Sequence, residues 1–346
     1  MRNTGIRRIV LAALCGIPAV ASPAVAQSER IGIIDIYGAG TVGRDAIRQA
    51  AGVSVGDSVP QSFEDAEARL RAIQGIADAE ISAVCCANGR TIVFVGVLES
   101  GASALEVRSA PTGTATLPNE IIAADAAFTA ALREAVERGQ ASEDHSAGHA
   151  MMDYAPARAV QQRFIQLAGA HEAELRTVLR DSRFPMQRAL AATVFAYLPD
   201  KRKAAQALAP ALTDSSSAVR NDAARALWII AEFARDSPAI RSHIPIDPLV
   251  GMLKSLTWTD RNKASLVLMA LTAARDSSLL ATLQARALPE LMEMALWQSS
   301  GHALAPLLIL GRIGGVPDDE ILAAWAEERR EDVLRAVVGT RIGDRG

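Results

Sequence analysis

The sequence has few cysteines, few histidines and few aromatic residues. Its 346 residues include 3 Cys and 5 His, and Phe, Trp and Tyr together make up 4%. Three cysteines cannot form the disulfide framework that holds small secreted domains together. The formal net charge is −3, and no basic stripe with interleaved aromatic residues is present, so the sequence argues against a nucleic-acid-binding protein.

Apolar residues, by contrast, make up 50% of the chain. A chain of this length and composition can bury a sizeable core. Alanine and leucine are abundant, and both favour helices; the small alanine side chain also lets neighbouring helices approach closely. We therefore expect a mainly α-helical protein with room for two domains.

The first 26 residues have the three parts of a secretory signal. A charged start, an apolar run and a small-residue cleavage motif follow one another as Arg2, Arg7 and Arg8, then residues 9–14, then Ala24-Val25-Ala26. Gly16 and Pro18 interrupt the apolar run before it reaches the roughly 20 residues that a membrane span requires. We expect a cleaved signal peptide over 1–26 and a mature protein in the periplasm of a Gram-negative bacterium, with secretion as the alternative. Both the general and the twin-arginine export routes remain open.

Residues 30–99 predict a small α+β domain. Alternation, helical periodicity and the turn at Asn88-Gly89 predict a strand, two helices and two strands, at 31–37, 41–51, 61–74, 79–86 and 90–99. The element order is β-α-α-β-β.

A dinucleotide-binding loop is a competing hypothesis for this domain. Gly38-x-Gly40-x-x-Gly43 follows a strand and opens a helix, and Asp57 lies 19 residues beyond Gly38. That function needs a parallel sheet with alternating helices, whereas the Asn88-Gly89 turn predicts an antiparallel hairpin. We therefore expect the glycines to serve as turn residues.

The apolar spacing of this domain resembles that of POTRA domains. The positions that carry the resemblance are Ile33-x-Asp35-Ile36-x-Gly38, Val42-x-x-Asp45-Ala46-Ile47, Gly56-Asp57, Ala66-x-x-x-Leu70 and Val95-x-Val97-x-Glu99. The resemblance implies a three-stranded sheet covered by two helices that docks proteins at bacterial envelopes. Such modules bind by adding a partner strand to a sheet edge, and the resemblance makes 79–86 or 90–99 the candidate edge strand.

Cys85 and Cys86 are the only cysteines beyond the signal peptide. Adjacent cysteines in an oxidising compartment can form a strained disulfide with each other, pair between molecules or stay buried as small side chains. A redox role is a further alternative.

Residues 100–152 predict a linker, a helix over 119–138 and a polar loop. The loop contains the densest group of side chains able to bind a metal, namely Asp144, His145, His149 and Asp153. The alternative interpretation is a loop whose His and Asp side chains cap neighbouring helices. Metal binding is thus one functional hypothesis for this loop.

Residues 153–340 contain an internal repeat. The segments around Asp181 and Gln187 recur 33 residues later around Asp214 and Arg220, and weaker echoes follow after 41 and 40 residues. A period of this length with two helices per unit is typical of a helical solenoid.

The second of these units resembles a HEAT repeat. Pro210, Asp214, Val219-Arg220 and Ala223-Ala224-x-Ala226-Leu227 carry the resemblance. In that family the Asp and Arg form a ladder between neighbouring units, which the resemblance places here at Asp181, Asp214 and Arg220, with Gln187 in place of one Arg. The expected fold is therefore mainly α, a HEAT-type α-solenoid preceded by the small α+β domain.

No arrangement of His, Ser, Cys and Asp in the sequence matches a nucleophilic site, so we expect a protein that is not an enzyme and needs no cofactor. Trp258, between two threonines in an inter-helix turn, is the candidate surface residue for contact with a partner. The expected function is a protein-binding scaffold or adaptor in the bacterial cell envelope. The alternative is a metal-binding or redox protein that uses residues 143–153 or Cys85-Cys86.

Overall fold

The structure, a computed structural model, describes residues 30–87 and 89–343, without the side chains of residues 86 and 338–343. The signal peptide predicted over residues 1–26 lies outside the described residues.

The strands and helices alternate only near the N-terminus. The first five elements are β1 (Ile31–Tyr37), α1 (Arg44–Ala51), α2 (Glu64–Arg71), β2 (Ile76–Ala87) and β3 (Arg90–Glu99). A helix and a short hairpin follow as α3 (Asn119–Glu137), β4 (Glu143–Asp144) and β5 (Met151–Met152). The remaining elements are helical: α4 (Ala155–Ala170), α5 (Glu172–Asp181), α6 (Pro185–Phe195), α7 (Lys201–Leu208), a 3-10 helix (Ala209–Thr213), α8 (Ser217–Phe233), α9 (Pro238–Arg241), α10 (Ile246–Met252), α11 (Trp258–Thr272), α12 (Ser277–Arg286), α13 (Leu288–Ala295), α14 (Ser300–Ile313), α15 (Asp318–Ala326) and α16 (Arg330–Gly343).

The chain forms two compact units, and one of them is assembled from separate segments. The described residues up to Arg108 and those from Pro245 onward make up one unit, called here the split unit. Residues Ser109–Ile244 make up the other, called the central unit. The predicted domain boundaries, 30–99, 100–152 and 153–340, follow the chain order, whereas this grouping combines the N-terminal α+β elements with the last third of the helices.

The sheet of the split unit has the strand order β1-β3-β2. β1 runs parallel to β3, because α1 and α2 form a crossover between β1 and the hairpin. β2 and β3 are antiparallel and joined by the predicted hairpin, in which Ala87 pairs with Arg90. β3 is therefore the central strand, with a neighbour on each side.

The two faces of this sheet are covered by different helices. Ile36, Val93 and Val95 lie on the face that packs against α1 and α2, where Ile47 and Leu70 are fully buried. The opposite face carries Tyr37 and Phe94, which contact aromatic side chains of α11 and of the segment between α13 and α14. A strand buried on both faces explains why β3 reads as a continuous apolar run rather than an alternating one.

The helices of the split unit pack around α14. This helix contacts α11, α12, α13, α15 and α16, and nine of its residues from Ala303 to Arg312 are buried. Gly311 allows the close approach of α15, because a Cβ atom there would lie 2.3 Å from Cδ1 of Ile321. A helix that is apolar on nearly all sides is expected at the centre of such a group.

The central unit is formed by α3–α9 and the β4–β5 hairpin. α6 packs against α4, α5, α7 and α8, and its apolar residues Ala191, Ala192, Val194 and Phe195 are fully buried. The hairpin contacts the N-terminal part of α4, where Arg158 Nε donates to the Met152 carbonyl at 2.6 Å.

The expectation of a mainly helical chain with a small three-stranded sheet is confirmed. No helix in the described part of the chain is both long and apolar enough to cross a membrane.

Candidate functional site

A groove of about 290 Å³ runs along the outer edge of β1 in the split unit. We call it the β1 groove. It is lined by Ile34, Asp35, Ile36, Arg44, Arg48, Glu293, Leu296, Trp297 and Gln298. Its floor is a strand edge, one wall is α1, and the other wall is the segment that joins α13 to α14.

Part of the β1 edge has backbone groups that the sheet does not use. The register with β3 directs the N–H and C=O groups of Ile34 and Ile36 away from β3. The Ile36 carbonyl accepts a hydrogen bond from Arg44 Nη1 at 3.2 Å. Within the described residues, the Ile34 N–H and C=O and the Ile36 N–H have no protein partner. These three groups face the groove and are available to an added strand.

The loop before α2 closes the N-terminal end of this edge. The Ile31 N–H donates to the Asp57 carbonyl, and the Ile31 carbonyl accepts from the Gly56 N–H, each at 2.8 Å. The open stretch of β1 therefore begins after Ile31 and is only a few residues long.

The opposite edge of the sheet, β2, is partly covered by side chains of α2. Arg71 Nη1 donates to the Ala79 carbonyl at 3.0 Å, and the Ile81 N–H donates to Glu67 Oε1 at 2.9 Å. The two predicted edge strands thus have different fates. The prediction of an open edge at 90–99 is wrong, because β3 is paired on both sides, and β2 is an edge whose middle is already occupied.

Two arginines line the α1 wall of the groove. The Arg44 and Arg48 side chains lie one helical turn apart, and each keeps more than half of its surface exposed. Arg48 pairs with Asp45, whose side chain is almost entirely exposed. Such a surface ion pair contributes little and exchanges easily with another anion.

The opposite wall begins at Asp35, which is 4% exposed. Its carboxylate accepts hydrogen bonds from the Gln298 N–H at 2.7 Å, the Ser299 N–H at 3.0 Å and Ser299 Oγ at 2.6 Å. It thereby caps the N-terminus of α14, where backbone N–H groups and the helix dipole favour a negative charge. Leu296, close by in the wall, is 53% exposed.

Glu293 fixes the end of the groove. Its carboxylate accepts from the Gly38 N–H at 3.0 Å and pairs with Arg44 at 3.2 Å and Arg261 at 3.3 Å. Burial raises the pKa of the Glu293 carboxyl, while Arg261 and the Gly38 N–H act in the opposite direction. Both acidic groups of the groove are thus engaged by protein donors, whereas its arginines reach the surface.

The glycine-rich loop after β1 binds a carboxylate of the protein itself. The Glu99 side chain accepts hydrogen bonds from the N–H groups of Gly40, Thr41 and Val42 at 2.8–3.0 Å and from Thr41 Oγ1 at 2.7 Å. The N–H of Val42 and the hydroxyl of Thr41 contribute most to holding the Glu99 pKa at about 2. The donors that a pyrophosphate would need are occupied by Glu99, and β2 and β3 are antiparallel. The dinucleotide-binding hypothesis is therefore wrong.

Trp258 does not have the exposed side chain that its position in a turn predicts. It is the first residue of α11, is 8% exposed, and stacks on Phe94 with ring centroids 4.8 Å apart and nearly parallel planes. Its partner in this structure is the inner face of the sheet. Leu296, which the sequence analysis did not single out, is the exposed apolar residue beside the β1 groove.

The predicted metal-binding residues lie around the β4–β5 hairpin of the central unit. His145 Nδ1 lies 2.8 Å from Glu232 and Nε2 lies 3.3 Å from Glu143, which also pairs with Arg225 at 2.5 Å. Burial lowers the pKa of His145, but the two carboxylates outweigh this effect and raise the pKa to about 9. Both ring nitrogens are therefore engaged by carboxylates.

His149 makes separate contacts. Its Nδ1 lies 3.0 Å from Nζ of Lys201, which also donates to the Ala196 carbonyl at 2.7 Å. Burial lowers the pKa of His149 to about 4, with a further contribution from Lys201, and burial lowers the pKa of Lys201 to about 7. Asp144 caps a turn at Ser146, and Asp153 binds Ser142 and Arg158.

Among the described residues, no group of three or more His, Cys, Asp or Glu side chains is arranged to hold a metal ion. Cys85 is disulfide-bonded. The side chain of Cys86 lies outside the described residues.

The residues predicted to form a repeat ladder take part in a contact that recurs along the chain. Arg188 donates to the Ser182 carbonyl at 2.6 Å, Arg220 to the Asp214 carbonyl at 2.8 Å and Arg261 to the Ser255 carbonyl at 2.6 Å, each six residues back. Arg188 also binds the Asp214 carboxylate through two hydrogen bonds of 2.9 and 2.7 Å.

This geometry shifts the ladder by one residue in the first unit. Arg188, not Gln187, is the counterpart of Arg220, and Ser182, not Asp181, is the counterpart of Asp214. The Asp181 carboxylate pairs with the neighbouring Arg180 at 2.7 Å. A one-residue difference in the turn length explains why a fixed period of 33 misplaced the first unit.

Comparison with models of known protein families finds no match, and comparison with curated proteins finds no significant match.

The sequence contains one signal for the β1 groove that went unused. Asp35 is a charged residue between Ile34 and Ile36 in a strand that is otherwise apolar, and such a residue is buried only when it has partners. The partners themselves, Gln298 and Ser299, are more than 260 residues away. No local pattern identifies them.

Proposed function

We propose that this protein is a non-enzymatic docking scaffold that binds an extended segment of another protein at the β1 groove. The carrying observation is the stretch of β1 whose outward N–H and C=O groups have no partner among the described residues and face a groove of about 290 Å³. An extended peptide can continue the sheet there through main-chain hydrogen bonds. Because main-chain bonds are common to all sequences, side-chain contacts with the walls would supply the specificity.

The resemblances to known families are part of this proposal. The β-α-α-β-β order with a mixed sheet supports a POTRA-like module at 30–99. The recurring arginine-to-carbonyl contact at Arg188, Arg220 and Arg261 supports HEAT-like units within 153–340. We propose that these helices act as a scaffold, in the bacterial cell envelope, for the docking edge and for further protein contacts.

Selection from a displayed library of short random peptides tests the proposal, with the purified chain lacking only residues 1–26 as the target. Peptides that bind by strand addition will slow hydrogen exchange at the Ile34 amide, because that N–H becomes hydrogen-bonded. The amide of Ala83, which points away from β3 on the other edge, serves as the internal control and is expected to keep its exchange rate.

A pair of proline variants provides the matched control. Ile34→Pro removes an outward N–H from β1, and Ala83→Pro does the same on β2. Selected peptides are expected to lose binding to Ile34→Pro and keep it for Ala83→Pro. If Ile34→Pro fails to fold, the exchange measurement on the unmodified chain decides. The proposal is refuted if no peptide is selected, or if the selected peptides leave Ile34 exchange unchanged.

A further inference from the structure

The walls of the β1 groove differ in chemistry, and their positions relative to the strand make this difference specific. The side chains of Ile34 and Ile36 point to the sheet face that α1 covers, and Asp35 points to the face where α14 begins. The α1 wall with Arg44 and Arg48 therefore continues one face of the sheet. The wall with Leu296 and Gln298 continues the other.

Successive side chains of a strand point to opposite faces of its sheet. A strand added beside Ile34 and Ile36 would thus direct every second side chain towards the two arginines and the intervening ones towards Leu296. We propose, as an extension of the proposed docking function, that the groove selects an extended segment in which acidic and apolar residues alternate.

The charges of the groove support this choice of ligand. Asp35 accepts three hydrogen bonds from the start of α14, and Glu293 is bound by the Gly38 N–H, Arg44 and Arg261. The arginine side chains, by contrast, are 52% and 57% exposed. Their guanidinium groups can bind a carboxylate through two parallel hydrogen bonds.

The length of the open edge limits the segment to a few residues. It begins after Ile31, where the Gly56–Asp57 backbone takes the strand position, and it ends near Ile36, whose carbonyl Arg44 occupies. Two acidic side chains, two residues apart, would match the two arginines.

Three synthetic peptides test this inference by fluorescence anisotropy with the chain lacking residues 1–26. One alternates Asp and Leu, the second has the same composition with the Asp and Leu residues in separate blocks, and the third alternates Lys and Leu. The alternating acidic peptide is expected to bind most tightly. Arg48→Gln should weaken its binding about two- to fivefold, the range of a surface ion pair, whereas Arg176→Gln, a similarly exposed arginine of the central unit, should leave it unchanged.

A charge reversal adds a gain-of-function arm. Arg48→Glu is expected to bind the Lys/Leu peptide better than the unmodified chain does. If peptides bind at Ile34, by hydrogen exchange, without regard to charge or alternation, this inference fails while the docking function stands. If no extended peptide binds and Ile34 exchange never changes, the docking function fails as well. Exchange protection at Ile34 that depends on protein concentration without peptide would identify a second copy of the chain as the occupant and overturn the inference.

Discussion

The buried carboxylate of Asp35 connects the first strand of the chain to the start of α14, and removing it should destabilise the split unit. Asp35→Ala would delete three hydrogen bonds to a charged acceptor. It would also leave the Gln298 and Ser299 N–H groups without that acceptor at a helix N-terminus. Loss of a helix cap costs about 1 kcal/mol, and a buried donor without a partner costs about 1–3 kcal/mol.

The desolvation of the carboxylate partly offsets these losses, because alanine needs no such compensation. We therefore expect Asp35→Ala to lower the free energy of unfolding by about 3 kcal/mol. Asp35→Asn keeps one acceptor oxygen but turns an NH₂ group towards the same donors, so its effect should be of similar sign and smaller. The control is Asp45→Ala, which removes an exposed carboxylate paired only on the surface and should cost less than about 1 kcal/mol.

Urea unfolding followed by tryptophan fluorescence measures the effect, because Trp297 adjoins Gln298 and contacts Phe94. A double-mutant cycle with Ser299→Ala isolates the bond between Ser299 Oγ and the carboxylate, with an expected coupling of about 1 kcal/mol. The reasoning is refuted if Asp35→Ala and Asp45→Ala unfold at the same urea concentration with equal slopes.

Three further predictions concern charged groups elsewhere in the molecule. Asp214→Ala leaves Arg188, which is 1% exposed, without its carboxylate and should cost about 3–5 kcal/mol in urea unfolding; Asp181→Ala should cost less than about 1 kcal/mol, and equal costs would contradict the ladder geometry. The pKa of Glu99 lies at about 2, below its ordinary value of 4.5, so its contribution to stability is present above pH 4.5 and is lost as the pH falls towards 2; in acid titrations of the melting temperature, Glu99→Gln should be less stable at pH 7 and lose less on acidification. The pKa of His145 is raised to about 9 from 6.5, so its contribution is complete below pH 6.5 and is lost as the pH rises through 9; calorimetry of His145→Gln should show a smaller decrease in melting temperature over that interval, and a decrease as large as that of the unmodified chain would refute the assignment.

The local elements of the α+β segment could be predicted from the sequence, since each has its own periodicity and turn signals. β3 begins and ends where the apolar run does, and the hairpin forms at the predicted Asn88-Gly89 turn. Its strand order was not predictable in the same way. The open edge turned out to be β1, because the chain returns through α1 and α2 to place β3 in the middle.

The covering of the second sheet face could not be derived from local patterns. Tyr37 and Phe94 indicate only that this face is apolar, and many helices in the chain could have covered it. The choice of α11 and α14 depends on shape, such as the space at Gly96, where a Cβ atom would lie 2.6 Å from the Tyr37 ring. Trp258 was misjudged for the same reason, because its stacking partner is distant in sequence.

The repeat in the helical segment was detectable, but its register was not. The motif around Asp214 gave the correct loop and the correct following helix. The first unit needed the contact itself to show that Ser182 and Arg188 are the equivalent residues. Small changes in turn length are invisible to a comparison made at one fixed spacing.

The assembly of the split unit from both ends of the chain has a consequence for biosynthesis. Residues 30–108 are made long before residues 258–302, which supply the cover for Phe94 and Tyr37. During that interval a newly made sheet would present an aromatic face to its surroundings, a condition that promotes association with other unfinished chains. A stop codon anywhere before α14 would make this condition permanent. The nascent N-terminal segment is thus the part of the molecule that most needs either delayed folding or a chaperone until the last helices have been synthesised.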